Sequence, residues 1–166
     1  SRVSRGLGDV YKRQIYVRVP RMEVTQHDER RLKLELRLAQ LQKNETCQKQ
    51  FLSFVKTIWP SFIQGRHHEI ISEKLERVAR GELKRLIINM APRHTKSEFA
   101  SFLFPAWMMG RNPNMKIIQA THTTELAVNF GRKVKNLLDT EEFREVFPDV
   151  KLAADSKASV SYTHLR

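Results

Sequence analysis

The sequence predicts an α/β fold, a parallel sheet flanked by helices and preceded by an N-terminal helical segment. Three observations carry that expectation. Two short apolar runs, Arg85 to Met90 and Met115 to Ala120, have the length and β-branched content of buried strands. Each is followed by a stretch with helical periodicity. The resulting order of strand, loop, helix, strand, helix is the grammar of a parallel sheet with helices on its faces.

The elements follow in chain order. Residues 28–43 (DERRLKLELRLAQLQK) read as a helix with Leu34, Leu38 and Leu41 on one face. Its arginines and lysines suit either a surface for DNA or solvated charge around a packed leucine stripe. Glu45 to Ile58 places Cys47, Phe51, Phe54 or Val55, and Ile58 at helical spacing, and Trp59-Pro60 ends it. His67 to Arg80 is a clearer helix, with Ile71, Leu75 and Val78 on a stripe and Gly81 as its stop. After the first apolar run, Lys96 to Met109 reads helical, with Pro105 as a kink or early end. Gly110 to Asn114 is a turn cluster. Thr121 to Asp139 forms the helix after the second run, with Ala127, Phe130, Val134 and Leu137 or Leu138 on its buried stripe. Thr140 is placed to cap a short helix containing Phe143 and Phe147, which Pro148 closes.

At 166 residues the chain is long enough for one domain with a real core, and its 40% apolar and 29% charged residues are ordinary for a soluble protein. The net charge of +12 is not ordinary. A polyanionic partner, nucleic acid before membrane, accounts for it, and so does a merely solubilising basic surface. Cys47 is the single cysteine, which excludes an intrachain disulfide and a cysteine-based metal site. The longest apolar run, Phe99 to Met109, is broken by Ser101 and Pro105 and is too short to span a bilayer.

The two ends fit the periodicity of nothing beside them. Residues 1–14 and 160–166 are similar to translated sequencing-adaptor sequence of the kind found at the ends of metagenomic reading frames, and are set aside as non-native. Residues 15–159 then carry a net +8. The expected organisation is an adaptor-derived head (1–14), a helical segment (15–66), the first part of a larger domain (67–159) and an adaptor-derived tail (160–166).

The loop Ala91-Pro92-Arg93-His94-Thr95-Lys96-Ser97 carries the chemistry. A phosphate site needs backbone N–H groups converging on a helix N-terminus, a cation for the outer phosphates and a hydroxyl for Mg²⁺. Lys96 and Ser97 supply the last two, and Arg93 adds a planar charged fork. The strict pattern G-x-x-x-x-G-K-[ST] is not met, since Met90 and Thr95 stand where its glycines should be. A turn with a stray Lys-Ser is an equally good account of the motif alone. Because a β-branched residue tolerates positive φ poorly, the loop is expected to keep Thr95 at negative φ or to bind nucleotide less tightly.

Residues Glu82 to Lys133 resemble the large terminase subunit of tailed phages, whose nucleotide loop commonly reads P-P-R-H-G-K-[ST]. The likeness runs on through Ser97-Glu98-Phe99-Ala100-Ser101, Pro105-Ala106-Trp107, Gly110-Arg111-Asn112-Pro113 and Ala120 to Ala127, and then Phe130-Gly131-Arg132-Lys133. It covers most of residues 50–159. The resemblance implies a P-loop NTPase-type (ASCE) parallel sheet, truncated here, in an ATPase that drives double-stranded DNA into a procapsid. It implies ATP and Mg²⁺ held by Arg93, His94, Thr95, Lys96 and Ser97, with Ser97 on the metal and Gln64 and His68 as candidates for holding the adenine. It implies as partners phage DNA, a portal protein, a small terminase subunit and further copies in a ring, in the host cytoplasm with no membrane.

Further residues admit two accounts each. Thr121, His122 and Thr123 either couple nucleotide state to movement or cap the next helix. Trp107 and Phe104 read as core before a base-stacking platform. Arg132, Lys133 and Lys135 form a face for DNA phosphates or for solvent. No apolar strand ending in paired acids follows residue 139, and Asp149 and Asp155 are isolated. The Mg²⁺-binding Asp, the catalytic Glu and the nuclease domain of a full-length terminase are therefore expected beyond Ser159, and this chain is expected to contain no catalytic residue and to turn over no ATP. A helicase-like nucleic-acid translocase and a basic nucleic-acid-binding module without nucleotide chemistry are the alternatives.

Overall fold

A computed structural model describes residues 25–152, so the adaptor-like head and tail, Asp155 and Ser159 lie outside the described residues. Two compact units divide the chain, Ser1–Leu36 and Arg37–Arg166.

In the first unit the described residues are helical. Helix α1 (Gln26–Lys49) starts two residues earlier than the periodicity suggests, because Thr25 and Asp28 form a capping box. The Asp28 N–H donates to Thr25 Oγ1 and the Thr25 N–H donates to Asp28 Oδ2, both at 3.2 Å. These Thr25 bonds hold the Asp28 carboxyl below the usual carboxylate range. Leu34, Leu38 and Leu41 remain exposed, so the packed leucine stripe expected of this helix is absent among the described residues.

In the second unit α1 runs on to Lys49, past the expected break at residue 44. It ends by burying Cys47, and α2 (Phe51–Ile58) follows after the single extended residue Gln50. The bare N-terminus of α2 is capped from a distance, since Glu76 Oε1 accepts the Phe51 N–H at 2.8 Å. A carboxylate there also complements the helix dipole. Glu76 lies on α3 (Arg66–Ala79), which Gly81 follows at φ 77 as the predicted stop.

The next helical stretch contains a π-helical segment, Glu98–Leu103, that runs straight into α4 (Phe104–Arg111). Pro105 does not end it. A proline lacks the N–H of an α-helical ladder and its ring collides with the carbonyl four residues back. Here it falls in the first turn of α4, where the wider turn gives way to α geometry, with the Phe104 N–H bonded to Phe99 O. Helix α5 (Thr124–Leu138) and the short α6 (Glu141–Val146) complete the described residues. Thr140 caps α6 as expected, accepting the Phe143 N–H.

The predicted sheet is not there. Among the described residues there is no strand, and the architecture is six α-helices and one π-helical segment. This overturns the parallel-sheet P-loop NTPase-type fold. Residues 85–90 do run without helical structure, with Leu86, Ile88 and Met90 half-buried against the helical core. Ile87 between them is 93% exposed, and in the second run Ile118 is 95% exposed. A parallel strand is covered on both faces and bonded along its edges. These runs have at most one covered face and no ladder, so the β-branched residues that suggested buried strands have no sheet to pack in.

The core is helical and aromatic. Phe51 of α2 meets Phe99, Phe104 and Trp107 with ring centroids 5.4–5.6 Å apart, the first two edge-on. Trp107 is fully buried and its Nε1–H donates to Cys47 O at 2.9 Å, which joins α4 to the end of α1. That confirms Trp107 as core, and Phe104 packs against the same cluster. Aromatic groups of this kind stabilise a core by about 3–5 kcal/mol each relative to alanine. Gly110 is required by close approach, since a Cβ there would fall 2.6 Å from the Phe147 ring. Among the described residues no helix is long and apolar enough to cross a membrane.

Candidate functional site

Residues 91–97 link the first apolar run to the start of a helix. The first i to i+4 bond of that helix joins the Phe99 N–H to Thr95 O at 3.0 Å. The N–H groups of Lys96, Ser97 and Glu98 therefore precede the ladder, as the first donors of any helix do. Ser97 is already helical, at φ −69 and ψ −35.

Of the two expectations for Thr95, the loop backbone removes the first, a negative φ. Arg93 lies at φ 65 and Thr95 at φ 56, and these are the non-glycine residues of positive φ among those described. His94 between them is not left-handed and Lys96 is already helical, so the sign of φ alternates from Arg93 to Lys96. Alternation of this kind turns successive N–H groups toward one side and forms the concave nest in which backbone amides bind anions. Thr95 thus adopts the conformation for which glycine is the ordinary choice, at a cost of about 1–2 kcal/mol for a residue with a Cβ.

The side chains of the loop divide by exposure. Arg93, His94 and Ser97 are exposed, while Thr95 and Lys96 are half-buried. Lys96 Nζ lies 3.5 Å from Met90 O, at the edge of hydrogen-bonding distance. His94 Nδ1 contacts Pro92 O at 2.9 Å, which braces the turn from within. Ser97 offers one hydroxyl at the helix start, which suits a Mg²⁺ ion already held by phosphate oxygens. Among the described residues no group of three or more His, Cys, Asp or Glu is placed to hold a metal ion alone.

Of the two adenine candidates, one reaches the loop. Gln64 is exposed and its amide donates to Glu69 Oε1. His68 is 5% exposed and its Nε2 lies 2.7 Å from Thr95 Oγ1. Its Nδ1 accepts the Gly65 N–H at 2.9 Å and so closes the N-terminus of α3. The ring stacks on Phe99 at 5.0 Å and meets the edge of Phe62 at 4.7 Å. Burial, and then the neighbouring His67 and His94, push the His68 pKa below the usual histidine range. Both ring nitrogens are thus spent on the protein, which leaves none for the edge of a base.

Sequence reasoning missed the partners of His68. Gly65 and His68 make half of a capping box, since His68 Nδ1 accepts the Gly65 N–H while glycine has no side chain to return the bond, and their three-residue spacing was the available signal. It also missed the ion pair of Lys133 with Glu98, 2.9 Å apart, which ties α5 to the segment after the loop. Lys133 is accordingly not a free member of the basic face. At the second extended run, Thr123 caps α5 through the Leu126 N–H at 3.3 Å and Thr121 Oγ1 donates to Thr123 O. Capping accounts for the Thr123 hydroxyl and a local bond to the backbone for that of Thr121, while His122 is exposed. No family model, curated protein or solved structure matches the chain.

Proposed function

We propose that residues 91–97 hold the phosphates of ATP with Mg²⁺, as the nucleotide-binding part of a DNA-packaging motor of the terminase large-subunit kind. The observation that carries this reading is the alternating backbone from Arg93 into the helix at Lys96. It presents amides, a helix N-terminus, the Lys96 ammonium and the Ser97 hydroxyl from one short segment, which is what a triphosphate with its metal requires. The likeness of Glu82 to Lys133 to terminase sequences supplies the motor context. Double-stranded DNA, a portal protein, a small subunit, further copies in a ring and the host cytoplasm belong to that context. The reading rests on the loop and its flanking sequence.

Titration with a fluorescent ATP analogue tests it. Saturable binding in Mg²⁺ that is lost in Lys96→Ala supports the site, and an unsaturable or Lys96-independent signal rejects it. Steady-state hydrolysis abolished by Lys96→Ala would contradict the expectation that this chain lacks catalytic residues. A second reading, a basic nucleic-acid-binding module without nucleotide chemistry, is favoured by the all-helical described residues and the net charge. It predicts DNA affinity that falls steeply with salt and no nucleotide signal.

A further inference from the structure

We propose that His68 is a positioning residue that latches Thr95 in the left-handed conformation a glycine would otherwise supply; the inference rests on the phosphate-site reading above. The argument starts from protons. The Thr95 hydroxyl has one, and it is donated to His94 O at 2.7 Å. Toward His68 the hydroxyl oxygen can therefore only accept, so the imidazole carries its proton on Nε2 and donates across 2.7 Å. The other nitrogen is fixed independently, because Nδ1 accepts the Gly65 N–H. The two bonds demand the same neutral tautomer.

The ring cannot easily turn away. Phe99 and Phe62 flank it, and Phe99 itself begins the helical ladder by bonding to Thr95 O. His68 is thereby braced by the first residues of the helix whose entry it controls. A strained φ persists where the surroundings over-determine it, and here a half-buried hydrogen bond and a packed ring do so. Without the bond the β-branched Thr95 would relax toward negative φ, and the fraction of molecules with the nest formed would fall. Apparent affinity drops by that same fraction.

The test uses the full chain and separates the two ring contacts. His68→Gln keeps an N–H able to reach Thr95. His68→Asn keeps only an acceptor near Gly65. Thr95→Gly removes the need for a latch. The expected result is roughly tenfold weaker binding of a fluorescent ATP analogue in His68→Asn, near-normal binding in His68→Gln, and recovery when Thr95→Gly is added to His68→Asn. Equal losses in Asn and Gln that Thr95→Gly does not restore would overturn the latch and leave a merely structural histidine. Should the unaltered chain bind no nucleotide, the phosphate reading fails separately. The latch is then decided by ¹⁵N ring spectra and by the Thr95 Cα and Cβ shifts. An Nε2–H tautomer, with Thr95 leaving its left-handed shifts in His68→Asn, supports it. An Nδ1–H ring, or Thr95 shifts unmoved by that substitution, refutes it.

Discussion

Two extended runs in this chain lead into helices, and they do so in opposite ways. After residues 115–120 the chain enters α5 through Thr123, whose side chain accepts the Leu126 N–H and whose backbone is extended. After residues 85–90 it enters through Arg93 and Thr95, both left-handed. The Thr95 hydroxyl is turned to His94 O and His68 rather than to the helix start. One helix start is satisfied by its own side chain. The other carries backbone strain, has no side-chain cap and sets a lysine and a serine at its first turn. Strain at a place that a plain capping threonine would have served at lower cost is the reason to look there for a ligand.

The comparison breaks most readily at Lys96. Lys96→Ala should weaken nucleotide binding on the order of a hundredfold, measured by calorimetry, since a charge-assisted contact to phosphate is lost. Thr123→Ala should leave that affinity unchanged and cost about 1 kcal/mol of stability in urea denaturation, the ordinary loss of a cap. A pH series sharpens the contrast further. Burial holds His68 neutral in the fold, so as pH falls the unfolded chain takes up its proton first. Stability should be complete above the ordinary histidine pKa of about 6.5 and decline as pH falls through it toward the lower folded value. His68→Gln should flatten that decline, and Thr123→Ala should not. The smallest effect is expected from Thr95→Gly. Relief of about 1–2 kcal/mol of backbone strain opposes the loss of a buried hydrogen bond of about 1 kcal/mol. Thermal denaturation should therefore place this variant within about 1 kcal/mol of the unaltered chain.

The helices were legible where a single face decides them. Ile71 and Leu75 of α3 and Val134, Leu137 and Leu138 of α5 are buried as their spacing predicts. Caps were legible where the residue type leaves little choice, as at Thr140 and Gly81. The sheet was misread because β-branched apolar residues suit a pleated, half-buried surface, and such a surface depends on neighbours that no single segment encodes. The early end expected at Pro105 did not occur, because the proline falls in the first turn of α4 after a π-helical segment that has no periodicity of its own. At the loop, Lys96, Ser97 and Arg93 were visible as residue types. The sign of φ at Thr95 was not, because it is decided by His68, 27 positions earlier, through a contact that depends on how α3 packs against Phe99.

The most direct measurement follows backbone amide resonances of the full chain during titration with Mg²⁺ and ATP. The account predicts saturable shifts in residues 93–98, with residues 123–126 unmoved. No shift at 93–98, or equal shifts at both helix starts, would contradict it.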